Sequence, residues 1–132
     1  MIKCVCLVEE TTDKILLVQV RHREKYYFPG GKIEEGESQV HALLREIQEE
    51  LNLTLTENDI EYIGTIIGPA YPQHDTLTEL NGYRSLTKID WNHITISNEI
   101  TDIRWIDKKD DNLIAPAVKV WIEENGGQHA KQ

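Results

Sequence analysis

At 132 residues, with a hydrophobic fraction of 39% and a charged fraction of 28%, the chain has the size and balance of one water-soluble domain. Its formal net charge of −9 excludes a surface that grips nucleic acid by its phosphates, which needs clustered Lys and Arg. No aliphatic run, the longest being of the kind Ile15-Leu16-Leu17-Val18, is long enough to span a bilayer.

Residues 2–9 and 14–20 are apolar runs separated by the turn-like Thr11-Thr12-Asp13, a pattern that predicts a β-hairpin. The first run stops at Glu9-Glu10, too short and too acidic for a secretory signal, so a cytoplasmic location is expected. Cys4 and Cys6 fall on one side of that strand with Cβ atoms about 7 Å apart, beyond disulfide reach. No further Cys or His pair completes a zinc site, so both are read as small core residues in a reducing compartment. Arg21-His22-Arg23-Glu24-Lys25 is either a solvated turn or, through Arg21 and Lys25, a place to meet phosphate. Tyr26-Tyr27-Phe28 is short and aromatic, and Pro29-Gly30-Gly31 then breaks the chain. Residues 38–51 have helical periodicity. Residues 60–67, 83–89 and 102–106 read as strands. Residues 113–125 read as a closing helix, with Pro116 near its start and Gly126-Gly127 at its end. Strands around one central and one terminal helix predict an α/β (α+β) domain with a mixed sheet and helices packed on it, a single unit over residues 1–132.

The helix at 38–51 holds the chemistry. Val40, Leu43, Leu44, Ile47 and Leu51 fall within an arc of roughly 100°, a core-facing stripe. Glu46, Glu49 and Glu50 fall within a second arc beside it. As helix neighbours of like charge they cost a few tenths of a kcal/mol per pair. They also lie in the C-terminal half, where the macrodipole disfavours anions. Such a face is either a solvated acidic surface or a store of oxygen ligands for a hard divalent cation.

The surrounding spacing favours the second. Gly31, five residues, Glu37, seven residues, Arg45-Glu46-Ile47, one residue, Glu49-Glu50, and Leu53 two positions further on form a pattern that resembles the Nudix box. Phe28-Pro29-Gly30-Gly31-Lys32-Ile33 resembles the loop that leads into it. The departure is Asn52, where the family has Gly. Asn is the next best residue for the left-handed turn after a helix, so Asn52→Gly is expected to hold or raise stability.

The resemblance implies a Nudix-type α-β-α sandwich and a MutT-like hydrolase that uses Mg²⁺ or Mn²⁺. It implies metal ligation by Glu46, Glu49 and Glu50, with a carbonyl of Gly30 or Gly31 adding another oxygen. Arg45 would orient a carboxylate and Glu37 would hold Arg45. A later-loop glutamate often serves as base in this family; Glu99 is the first candidate and Glu79 the second. Lys32 and Arg21 are candidate substrate contacts. Tyr27, Phe28 and Tyr71 either stack on a base or belong to core and rim. The substrate expected is a small nucleoside di- or triphosphate-type diphosphate, oxidised dNTPs included, with no nucleic acid and no membrane as partner. The alternative is a catalytically weak Nudix-fold nucleotide sensor or regulator, which intact box glutamates disfavour. Pro69 and Tyr71 fit two substrate patterns of the family at once and select neither. No pattern sets an oligomeric state.

Overall fold

The structure, a computed structural model, describes residues 1–125. Its elements in chain order are β1 (Ile2–Leu7), β2 (Lys14–Val20), β3 (Gly30–Lys32), α1 (Gln39–Leu51), β4 (Ile60–Pro69), β5 (Leu77–Ser85), β6 (Ile100–Asp107) and α2 (Pro116–Asn125). Four strands form one mixed sheet in the order β3-β1-β5-β4, with β1 and β5 parallel and the other pairs antiparallel. β2 and β6 form a separate antiparallel pair.

Side-chain alternation along β1 explains the layers. Val5 and Leu7 join the apolar cluster built on α1 by Ala42, Leu43, Ile47 and Leu51. Cys6 and Val8 join the cluster built on α2 by Ala117, Val118 and Trp121. Successive residues of a strand face opposite sides, so a strand apolar at both parities must be covered on both. β2 does the same: Ile15 and Leu17 enter the α2 cluster and Val18 the α1 cluster. The result is an α-β-α sandwich with a mixed sheet.

Helix α2 lies close against the sheet because glycines admit it. A Cβ on Gly82 of β5 would stand 2.4 Å from the Trp121 ring, and one on Gly68 of β4 would stand 3.1 Å from the Ala117 backbone. β4 is one of the two edge strands of this sheet, and its pairing with β5 shifts register between Tyr62 and Gly64.

The hairpin expected from residues 2–9 and 14–20 is only a turn. Thr11 N donates to Lys14 O and Leu16 N to Glu9 O, both at 2.9 Å, but then the strands part. β1 takes its partners from β3 and β5, and β2 from β6. The Pro29-Gly30-Gly31 break also becomes structure, since Gly30–Lys32 is itself a strand. The strand read at 83–89 lies at Leu77–Ser85. Its polar residues Thr78 and Asn81 are buried and hydrogen-bonded, to Ile2 O and Cys4 O respectively, so polarity concealed it. The closing helix begins at Pro116 rather than 113, because residues 113–115 bridge to Tyr26, which donates to Leu113 O and accepts from Ala115 N. Gly126-Gly127, read as its end, lie outside the described residues. Among the described residues no helix is long and apolar enough to cross a membrane.

Candidate active site

Helix α1 is bounded at both ends by local chemistry. At its start the Ser38 hydroxyl accepts from His41 N at 3.1 Å. At its end Asn52 is left-handed, with φ 54° and ψ 33°, and its N–H returns to Gln48 O at 3.1 Å. Between them the apolar stripe anchors the helix, and its rotation sets the three glutamates at different depths. Glu49 keeps 45% of its side chain exposed and Glu46 16%. Glu50 is buried at 8%.

Two glycines let β3 fit between β1 and the carboxylates of α1. A Cβ on Gly30 would lie 2.1 Å from Val5 O, and Gly30 has φ 140°, so only glycine fits there. A Cβ on Gly31 would lie 2.7 Å from the Glu46 carboxyl. β3 can therefore come against α1, and Gly30 N donates to Glu50 Oε1 at 3.0 Å. Burial, outweighing the Gly30 hydrogen bond and reinforced by Glu46, pushes the Glu50 carboxyl up to about 8. Burial also raises Glu46, against the pull of Arg45.

Arg45 ties the group together. Its Nε and Nη2 grip the two Glu37 oxygens at 2.8 and 2.9 Å, a bidentate fork. Its Nη1 reaches Glu46 Oε1 at 2.7 Å and Glu49 Oε2 at 3.5 Å, and Nη2 reaches Lys32 O at 3.3 Å. The Arg45 hydrogen bonds hold Glu37 down at about 2. With Glu34 3.7 Å from Nη2, four carboxylates surround one guanidinium, and the surplus of negative charge is unbalanced. That oxygen-only donor set has the chemistry of a hard divalent cation such as Mg²⁺ or Mn²⁺. No cage of three His, Cys, Asp or Glu side chains is already gathered among the described residues. Ligation by Glu46 and Glu49 would therefore mean swinging their carboxylates away from Arg45.

Beside Glu50 opens a cavity of about 140 Å³. Glu50, Gly30, Gly31, Lys32, Tyr27 and Tyr71 all line it. Tyr71 Oη accepts from Lys25 N at 3.1 Å, which fixes the ring at the rim. Arg21 and Glu99 are not among the lining residues; they pair with each other at the surface. Glu79 is on β5 and accepts from Asn81 Nδ2 at 3.0 Å.

The lining includes residues that sequence reasoning passed over. Arg23, Gln73 and Thr78 stand at the cavity with Cys4, and Lys25, a phosphate contact expected from the sequence, lines it as well. Cys4, read as core, is only half-buried, and its sulfur takes a contact from the Thr78 hydroxyl at 3.6 Å. Burial, the largest influence, pushes its thiol up, so it is a poor nucleophile. The sequence did contain a signal for Cys4, in that Ile2, Cys4 and Cys6 share one face of β1. Nothing in the sequence marked Arg23 over Arg21.

The NUDIX domain family matches residues 2–119 of this chain. The m7GpppN-mRNA hydrolase of Saccharomyces cerevisiae is 30% identical over 108 residues, covering 78% of this chain. The chain spans only about a tenth of the length of that relative (10%). An uncharacterised Nudix hydrolase of Bacillus subtilis is 37% identical over 60 residues, 46% of this chain and 38% of the other. The solution structure of the E. coli ORF135 protein superposes with a TM-score of 0.69 at 26% identity, covering 98% of this chain and 91% of that one.

Proposed function

This chain belongs to the NUDIX domain family, and we propose that it hydrolyses a phosphoanhydride bond in a small nucleoside di- or triphosphate-type substrate with Mg²⁺ or Mn²⁺ held by Glu46, Glu49 and Glu50. The family makes it a hydrolase of phosphorus-containing acid anhydrides. The observation that supports the finer reading most is Glu50. A buried carboxyl crowded by Glu46, and standing in the wall of a cavity, is costly to keep unless a cation or substrate uses it.

A divalent cation on these carboxylates neutralises charge on the anhydride oxygens and makes an attacking water more acidic. The protein supplies the rest. Glu37 locks Arg45, and Arg45 restrains Glu46 and Glu49. Lys32 and Arg23 bring positive charge to the cavity, where phosphate oxygens would lie. Tyr27 and Tyr71 offer aromatic walls to a base. A carbonyl of Gly30 or Gly31 would add a further oxygen donor to a cation held there. Glu99, once free of Arg21, takes a proton from the attacking water. The yeast relative is named for an mRNA substrate, but a net charge of −9 repels an RNA body, so a free nucleotide is the better fit here. Two free cysteines suit a reducing, cytoplasmic compartment.

The test is a panel of nucleoside di- and triphosphates and dinucleoside polyphosphates incubated with Mg²⁺ or Mn²⁺, products identified by mass. Hydrolysis of at least one compound, abolished by EDTA, is expected. Failure to cleave any of them with either metal would overturn the proposal.

A further inference from the structure

Asn52 stands where the Nudix signature has glycine, and glycine would supply only a left-handed backbone. Asn52 supplies that conformation and two hydrogen bonds besides. Its Nδ2 donates to Thr95 O at 2.6 Å and to Ser97 Oγ at 3.0 Å. Ser97 carries the connection into the helix. Its hydroxyl donates to Glu49 O at 2.7 Å and its N–H to Glu50 O at 3.0 Å. Those carbonyls belong to the last turn, where a helix leaves its acceptors without internal partners. The donated dipoles also offset the negative end of the macrodipole beside the Glu49 and Glu50 side chains.

Beyond Ser97 the chain turns through Asn98, which has φ 61°. Glu99 O then accepts from Arg21 N at 2.9 Å, and β6 begins at Ile100. Segment 95–99 is therefore fastened at one end to the final turn of α1 and at the other to the turn after β2. We propose that Asn52 and Ser97 form a latch that fixes this segment against the metal-binding end of α1 and so positions Glu99. Asn52 is a positioning residue that acts through Ser97. The inference rests on the reading that Glu49 and Glu50 hold the cation and that Glu99 serves the reaction.

Four variants test it. Asn52→Gly keeps the backbone conformation without the amide. Asn52→Asp keeps size and left-handed tolerance but has no N–H to donate. Ser97→Ala removes the relay and Ser97→Thr retains it. Misplacing a group by about 1 Å can cost up to about a hundredfold in rate, so the first three should lower kcat by about tenfold with KM unchanged. The double variant N52G/S97A should fall no further than either single one, because both break one device. Ser97→Thr should keep wild-type kcat. In the same proteins, amide exchange at residues 97–99 should quicken in N52G and N52D. Wild-type kcat in N52G and N52D, or a fall in Tm without a fall in kcat, would overturn the latch. If the wild-type protein cleaves no nucleotide, the proposed function fails separately. Exchange still decides the latch in that case: unchanged protection at 97–99 in N52D overturns it, and faster exchange upholds it.

Discussion

Helical spacing puts Glu46, Glu49 and Glu50 on one face, but it does not say that they differ. The difference comes from β3, which Gly30 lets lie close on β1 and Gly31 lets lie close on Glu46, and whose Gly30 N–H bonds Glu50. A carboxyl buried beside Glu46 is worse for the metal-free fold than a neutral amide of equal size, which can still accept from Gly30 N. Glu50→Gln should therefore lose most activity while its Tm without metal holds or rises. Full activity in that variant, followed with the best substrate, would remove Glu50 from the site. Glu99 lies further from legibility, because its pairing with Arg21 depends on two turns far apart in the chain. The pair is exposed, so it contributes little stability. Glu99→Gln should cost at least about tenfold in kcat, as loss of a general base does, with little change in Tm. Glu79→Gln should do much less. Asn52 reverses an expectation drawn from backbone preference alone. Asn52→Gly should now destabilise by about 1 kcal/mol, since two hydrogen bonds go with the side chain. A thermal melt of the glycine variant checks this.

At the level of elements, helix α1 was legible because two signals agree, the apolar stripe and the left-handed Asn52, while Ser38, counted within the helix, proves to be its cap. β5 was not, because a strand buried on both faces need not alternate, and this one hides polar groups by pairing them with β1. α2 was legible as a helix but not in its docking. That docking depends on Gly82, where the Trp121 ring occupies the place of a side chain. Trp121 is fully buried and edge-on to Phe28 at 6.0 Å between centroids, so it has little room to move. Gly82→Ala should overpack this contact and cost about 1–3 kcal/mol, read from urea unfolding. An unchanged midpoint would mean that α2 gives way easily.

For the whole molecule, the fold class followed from the order of elements, while the split into two sheets did not. The split depends on which strand finds which neighbour over long distances. Charge was legible throughout, and its concentration matters more than its total. Glu34, Glu37, Glu46 and Glu49 share one arginine in a protein of net charge −9, and Glu50 lies against Glu46. A cation bound there should favour the folded state by about 2.7 kcal/mol at a concentration a hundredfold above its Kd. Tm should thus rise with Mg²⁺ in the wild-type protein and rise less in Glu50→Gln. Equal shifts in both would put the cation elsewhere.

The parallel pairing of β1 with β5 has a consequence for synthesis. Thr78 Oγ1 donates to Ile2 O across a separation of 76 residues. A nascent chain that has exposed β1 and even all of α1 still lacks the strand that sits at the centre of the sheet. Until β5 emerges, β1 can have at most β3 beside it, and the apolar faces of β1 and α1 stay partly open to water. Emergence of β5, rather than growth of the first half, is then the event that commits the chain to fold. Ribosome-stalled chains ending before residue 77 should remain sensitive to protease, and those carrying β5 well clear of the exit tunnel should begin to resist it.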